Sequence, residues 1–482
     1  MPGAAGERTG GSLLPNAAAE RFRARADAAA SRALRTGEAT IASVTEPIGI
    51  PLDPAAVVVG ARQPGEEWGI IEQPDNGGSS ICALGRAVEL KGSGEQRFAG
   101  TSAEWARLAR GAIADALDGA PPGSGPIVLG GFSFDGRDRT AGPWRGFGGG
   151  SLVVPAISFT RKDGDLRISL QLLVEPGTDH RAAVDALIER VEGMDPDCTL
   201  PAGVPRSVEG ASVASSLPPE HYEAAVRHAL DAIDERRIEK VVLAREVIVE
   251  AGVEVDAGAV LDELRQRFPS CFVFAVGRGD AVFLGASPEL LIRREGLHAS
   301  TVALAGSAAR SADAAANDHL GERLMNSGKD RAEQGIVADS IAATLRPVSV
   351  WVSASPEPQL VSVANIQHLG TPIRARLREP VATVELVGML HPTPAVGAQP
   401  WPEGSAVMSE CEGLDRGWYA APIGWSDSAG NGEFLVALRC ALLRGSEARC
   451  FAGVGVVAGS VPELEFAETE LKLQAMLPIL LG

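Results

Sequence analysis

Between residues 238 and 245 the chain reads Ile-Glu-Lys-Val-Val-Leu-Ala-Arg, a β-branched and aliphatic run that predicts a strand. Just before it, after Pro218-Pro219, apolar residues fall at Tyr222, Ala225, Val226, Ala229, Leu230 and Ile233. That is the i, i+3, i+4, i+7 spacing of an amphipathic helix, with proline where a first turn tolerates it. Further on, strands are expected at 271–276, 281–286, 435–442 and 450–457, and helices at 256–268, 329–345 and 462–476. The first half reads as a helix at 17–34, strands at 40–48, 55–59 and 81–90, and a helix at 103–117. Strands at 127–134, 151–158 and 166–174 and a helix over 180–192 complete it. Strands and helices do not strictly alternate, so the pattern predicts an α+β fold with antiparallel sheets rather than a doubly wound one. The Pro-, Gly- and Ser-rich segment 195–216 is expected to be a surface connection.

Composition narrows the function. At 482 residues with 45% hydrophobic content, the chain can bury a large core. Its formal net charge of −18, with no block of Lys and Arg, argues against nucleic acid and anionic membrane surfaces. The six cysteines, Cys82, Cys198, Cys271, Cys411, Cys440 and Cys450, include no C-x-x-C pair, so neither zinc nor a disulfide framework is indicated. Cys440 and Cys450 read as two buried small residues. No segment approaches the roughly 20 apolar residues of a membrane span, and no signal-peptide run opens the chain. A cytoplasmic protein is expected.

The glycine clusters mislead. Residues 453–459, Gly-Val-Gly-Val-Val-Ala-Gly, have one residue too many before the third glycine for a dinucleotide loop, and Gly146–Gly150 lacks the Lys-Ser/Thr of a phosphate loop. The last helix says more. Ser460 and Glu463 have capping-box spacing, and Glu465, Glu468 and Lys472 share one helix face. Alone, that face would be an ordinary solvated ion pair. A magnesium ion, however, asks for just such carboxylates. Glu333 supplies another near the start of the 329–345 helix. Glu289, after Ser287-Pro288, falls at a strand end, and Lys240 shares a strand face with Val242 and Ala244. A lysine among apolar neighbours is a candidate desolvated base.

Together and in order, these stretches resemble the chorismate-binding enzymes. The matching runs are Lys240–Arg245, 285–291 (Gly-Ala-Ser-Pro-Glu-Leu-Leu), Leu304–Ser307, Lys329–Glu333, 366–369, 390–396 and Asp415–Tyr419. The series closes with 434–439, 452–455 and 468–472, so it spans residues 218–476 almost continuously. Gly130–Phe134 looks like the family's more variable N-terminal half. The resemblance divides the chain into an N-terminal half, 1–216, and a chorismate-binding catalytic region, 217–482. It implies one large α+β domain: antiparallel sheets in a layered core, with helices outside.

Leu304–Ser307 and 390–396 look like the isochorismate synthase branch. Salicylate synthases typically carry Thr at the Ser307 position, and anthranilate synthases usually lack a lysine at that of Lys240. The reaction implied is interconversion of chorismate and isochorismate, with water added at ring carbon 2 and the 4-hydroxyl lost. In this reading Lys240 is the base, Glu289 the acid, and Glu333, Glu465 and Glu468 the Mg²⁺ ligands. Gly306, Ser307, His368, Tyr419, Arg439, Gly455 and Lys472 would bind substrate, with a core histidine as the equal alternative for His368. The chain departs from the pattern at Gln334, where a histidine is common, and at Ala398, Ala421 and Val461, where Gly, Gly and Asp are. No glutamine amidotransferase subunit is expected. A salicylate synthase and a non-catalytic chorismate-binding regulator are the alternatives; the downstream pathway, menaquinone or siderophore, and the oligomeric state stay open.

Overall fold

The computed structural model describes residues 12–204, 211–311, 313–363 and 366–481. In it, the strand expected at 238–245 runs Lys240–Glu250 and pairs along its whole length with Glu447–Val457. These two strands lie near one end of a 12-stranded sheet, which packs against a 10-stranded sheet. Among the described residues the ladders are antiparallel, apart from one isolated parallel bridge between Ala42 and Ile113. The α+β class is as the sequence predicts.

Strand alternation explains the layers. In Phe272–Gly279, Phe274 and Val276 join the core between the sheets, while Val273 and Ala275 face the helices on the outer side. Those helices, Asn16–Thr36, Pro54–Ala61 and Ala257–Arg267, bury Phe22, Val58 and Leu261 there. Strands from early and late in the chain share both sheets. Gly65–Gln73 pairs with Phe272–Gly279, and Ile127–Phe132 pairs with Pro422–Asp427.

Five local expectations are corrected. The run at 55–59 is helical: Pro54 opens it and the Asp53 carboxylate caps it by accepting from Ala55 N at 3.1 Å. Ala55–Val58 are all buried, and a short helix apolar on every side has no periodicity to tell it from a strand. The runs at 81–90 and 151–158 each break into two strands. The run at 435–442 also breaks, into Gly432–Val436 and Cys440–Arg444, because the chain changes sheets at Ala437-Leu438-Arg439. No capping box forms at Ser460. Its hydroxyl accepts from Val457 N and bonds Glu465, leaving Val461 at the cap position with no side-chain acceptor to offer. Within 195–216, Ser212–Ser215 is an exposed strand against Val247–Glu250, and 205–210 lies outside the described residues. Cys440 and Cys450 are buried free thiols in offset register, since Ala441 faces Cys450.

A second sheet change lies beside the first. Ser287-Pro288-Glu289 carries the chain from Ala281–Ser287 in the 12-stranded sheet to Leu290–Glu295 in the 10-stranded one. The two crossings are stitched together: Val436 N donates to Glu289 O at 3.0 Å and Ala286 N to Arg439 O at 3.1 Å. Backbone groups that leave a ladder need new partners, and here each crossing supplies them to the other.

Candidate active site

A cavity opens at these crossings, with about 720 Å³ of empty space including its open mouth. Glu289, Gly306, Ser307, Glu333, His368, Tyr419, Arg439, Gly455, Glu468 and Lys472 line it, walled on the apolar side by Val242, Leu304, Val396, Leu438 and Phe451. Of the residues singled out from the sequence, Lys240 and Glu465 lie just behind this lining.

Lys240 is wholly buried, and its Nζ lies 2.8 Å from Glu333 Oε1. The approach is close but misaligned, so Nζ makes no hydrogen bond. Gly455, opposite Val242 in the neighbouring strand, makes room: a Cβ there would fall 2.2 Å from Glu333 Oε1 and 2.8 Å from Lys240 Cε. The glycine run at 453–459 is thus mostly strand, shaped for close approach rather than for a nucleotide.

Glu289 is fully buried. Burial pushes its carboxyl up to about 7, although Lys240, Lys472 and Arg439 all pull it down. Glu468 behaves differently. Burial raises it, but Lys472 at 2.8 Å and a hydrogen bond from Ser307 carry it below the ordinary carboxylate value. Two carboxyls in one cavity are therefore shifted in opposite directions by what surrounds them.

Gly306 bends the strand His298–Ala309. With φ at 71°, it sits in the register shift between Ala305 and Ser307 opposite Leu369 and His368. This bulge turns Ser307 toward Glu468 and His368. His368 is neutral, since burial and then Arg439 push its pKa well below the ordinary value. Its Nε2 lies 3.0 Å from Arg439 Nη2 and can only accept, which places the ring proton on Nδ1, 3.2 Å from Gly306 O. Arg439, buried and at φ 49°, has Nη1 unpartnered. Such a guanidinium nitrogen, desolvated beside a cavity, is shaped to receive a carboxylate. Tyr419 stacks on Phe451 at 5.2 Å along the same wall.

The carboxylates offer only oxygen donors, the type a hard cation such as magnesium takes. Each is matched by a lysine: Glu333 by Lys240, Glu465 by Lys329, Glu468 by Lys472. Among the described residues no three His, Cys, Asp or Glu side chains are drawn together as a metal cluster. The donor chemistry fits the ion, with the lysines balancing the same charges. Sequence reasoning gave Lys329 no role, although it stands in the quoted run with Glu333. It named no individual role for Val242, Leu304, Val396, Leu438 or Phe451, since an apolar residue signals burial whether it faces a core or a cavity. Gln334 faces away from the cavity and donates to Thr371 Oγ1 at 2.7 Å and Ala303 O at 3.2 Å.

The fold agrees with the comparisons to known proteins. The profile described as chorismate binding enzyme matches residues 28–481, and the chain belongs to that family. Within it, the chain is 40% identical over 434 residues to the salicylate biosynthesis isochorismate synthase of Pseudomonas aeruginosa, covering 88% of this chain and 87% of that one. It is 35% identical over 358 residues to the isochorismate synthase MenF of Bacillus subtilis, covering 74% and 75%. The solved structure of the menaquinone-specific isochorismate synthase MenF from Escherichia coli superposes with a TM-score of 0.76 at 25% identity, covering 95% of this chain and 99% of that one.

Proposed function

We propose that this chain is an isochorismate synthase, interconverting chorismate and isochorismate. One observation carries the reading beyond family membership. Glu289 is a buried carboxyl held up to about 7 in a cavity whose nearby charges include the cations Lys240, Lys472 and Arg439. Hydroxide is a poor leaving group, and a carboxyl that ionises only near neutrality keeps a protonated fraction there that can hand it a proton as the C4–O bond breaks.

Lys240 is assigned the complementary step: having first given up its own proton, its neutral amine takes one from the water whose oxygen bonds to ring carbon 2. One proton is gained by the lysine and one lost by the glutamic acid, so substrate and product are isomers and water is exchanged. Arg439 receives the side-chain carboxylate through its free Nη1, with Tyr419 beside it. Gly306, Ser307 and Lys472 border the ring, and His368 orients Arg439 rather than touching substrate.

Glu333, Glu465 and Glu468 would hold Mg²⁺, which when bound supplies positive charge for the ring carboxylate. Lys329 must release Glu465 for that ligand set to form. No helix among the described residues is long and apolar enough to cross a membrane, which fits a cytoplasmic enzyme.

The test is direct. Purified protein incubated with chorismate and magnesium should yield isochorismate by chromatography. Salicylate and pyruvate as main products would establish a salicylate synthase instead. Unchanged chorismate would leave a binding regulator.

A further inference from the structure

We infer that the buried pair Glu412–Arg416 is a positioning device for this reaction, holding the strand of Lys240 against the apolar wall of the cavity; the inference rests on the isochorismate synthase reading. The strand Lys240–Glu250 has a full-length partner on one side only. On its other side Ala398–Gln399 covers Lys240–Val241 and Ser212–Ser215 covers Val247–Glu250. Val242 N still donates to Gly397 O at 2.8 Å, but beyond it lies a gap where Val242 O and Ala244 N have no strand to bond. Unpaired backbone groups this deep are costly.

Side chains fill the gap. Glu412 Oε1 accepts from Ala244 N at 2.8 Å, and Arg416 Nη2 donates to Val242 O at 2.9 Å. Arg416 Nη1 donates to Val396 O at 2.8 Å, and Nε binds Glu412 Oε2 at 2.9 Å. Both residues are buried, at 8% and 5% exposure. One planar guanidinium therefore ties together two neighbouring segments of the cavity's apolar wall, Val242 on the strand of Lys240 and Val396. Val242 follows Lys240 by two residues on the same strand face, so a shift at Val242 O moves the lysine. The pair's hydrogen bonds to both segments run through backbone atoms, and the Arg416 guanidinium also lies over the ring of the lining residue Tyr419, 5.9 Å from its centroid.

Lysine at 416 keeps the charge and the partner Glu412 but cannot span three acceptors from a plane. Glutamine at 412 keeps the acceptor for Ala244 N and loses the charge. For Arg416→Lys and Glu412→Gln, kcat should fall about 10- to 100-fold, as misplacement of a reacting group does. KM for chorismate should stay close to that of the parent, because Arg439 is untouched, and calorimetry should show both variants folded. Hydrogen exchange at the Ala244 amide should speed up in Arg416→Lys. A folded Arg416→Lys with parental kcat, or losses explained wholly by a smaller active fraction on titration, would overturn the inference while the parent still makes isochorismate. A parent that makes none would overturn the functional reading and this inference with it.

Discussion

Arg439 donates Nη2 to His368 Nε2 at 3.0 Å and keeps Nη1 without a partner beside the cavity. The histidine thus occupies one of the guanidinium's two terminal nitrogens and aims the other. Hydrogen bonds to charged groups contribute roughly 1.5–3 kcal/mol, so Arg439→Lys should raise KM for chorismate about ten- to hundredfold. Steady-state kinetics with an unchanged KM would remove Arg439 from substrate binding.

Glu289 links activity to pH. Its carboxyl ionises near 7 in the fold against an ordinary 4.5, so over that window the folded chain holds a proton the unfolded chain has released. Stability is therefore lost as pH rises through the window, and Glu289→Gln should recover it at pH 8, by no more than about 3 kcal/mol. At pH 4 the two should melt together. Turnover should move the other way, dropping roughly 10²–10⁴-fold in Glu289→Gln and in Lys240→Ala. In the parent it should decline as pH rises through about 7. A Glu289→Gln enzyme with parental turnover in both directions would need a different acid.

Metal dependence is expected to run through Glu468. Chelation should abolish turnover. Glu468→Gln should raise the magnesium requirement by at least the roughly 10–100-fold seen when groups around a metal ligand are altered. Full activity of that variant without added metal would end the assignment.

Gly455 has no room for a side chain. The methyl of Gly455→Ala would meet Glu333 Oε1 at 2.2 Å, in a strand that cannot easily retreat. A melting measurement should show a loss of about 1–3 kcal/mol, as overpacking does, together with near-complete loss of turnover. A variant as active as the parent would mean that Glu333 and Lys240 can shift freely.

Gln334 satisfies Thr371 and Ala303 from the far side of the helix Gly328–Leu345. Histidine can keep one such bond, so Gln334→His should retain near-parental turnover. Gln334→Ala leaves buried acceptors bare and should cost about 1–3 kcal/mol by denaturant titration. A large loss of turnover in Gln334→His would place this side chain in the chemistry.

Much of the molecule was legible in the linear chain. The strand of Lys240, the amphipathic helix before it and the antiparallel α+β class all follow from periodicity, because a face that must be buried repeats every two or 3.6 residues. Glu289, Ser307, Glu333, His368, Arg439 and Glu468 stood out through their family motifs, and the fold brings them to one cavity. The helix Pro54–Ala61 was missed since its apolar run has no polar side to betray its period.

What the sequence by itself determined is which residues are apolar, which carry charge and which can bend. Only the tertiary structure decided that Glu289 and Arg439 meet, because each sits where the chain changes sheets, and those crossings lie about 150 residues apart in sequence. The same holds for the protonation of Glu289 and Glu468. Two glutamates are alike in sequence, but one is buried with no hydrogen-bonded cation and the other against Lys472 and Ser307. Desolvation and Coulomb energy depend on surroundings in three dimensions, so the acid and the anion acquire their separate characters only in the folded chain.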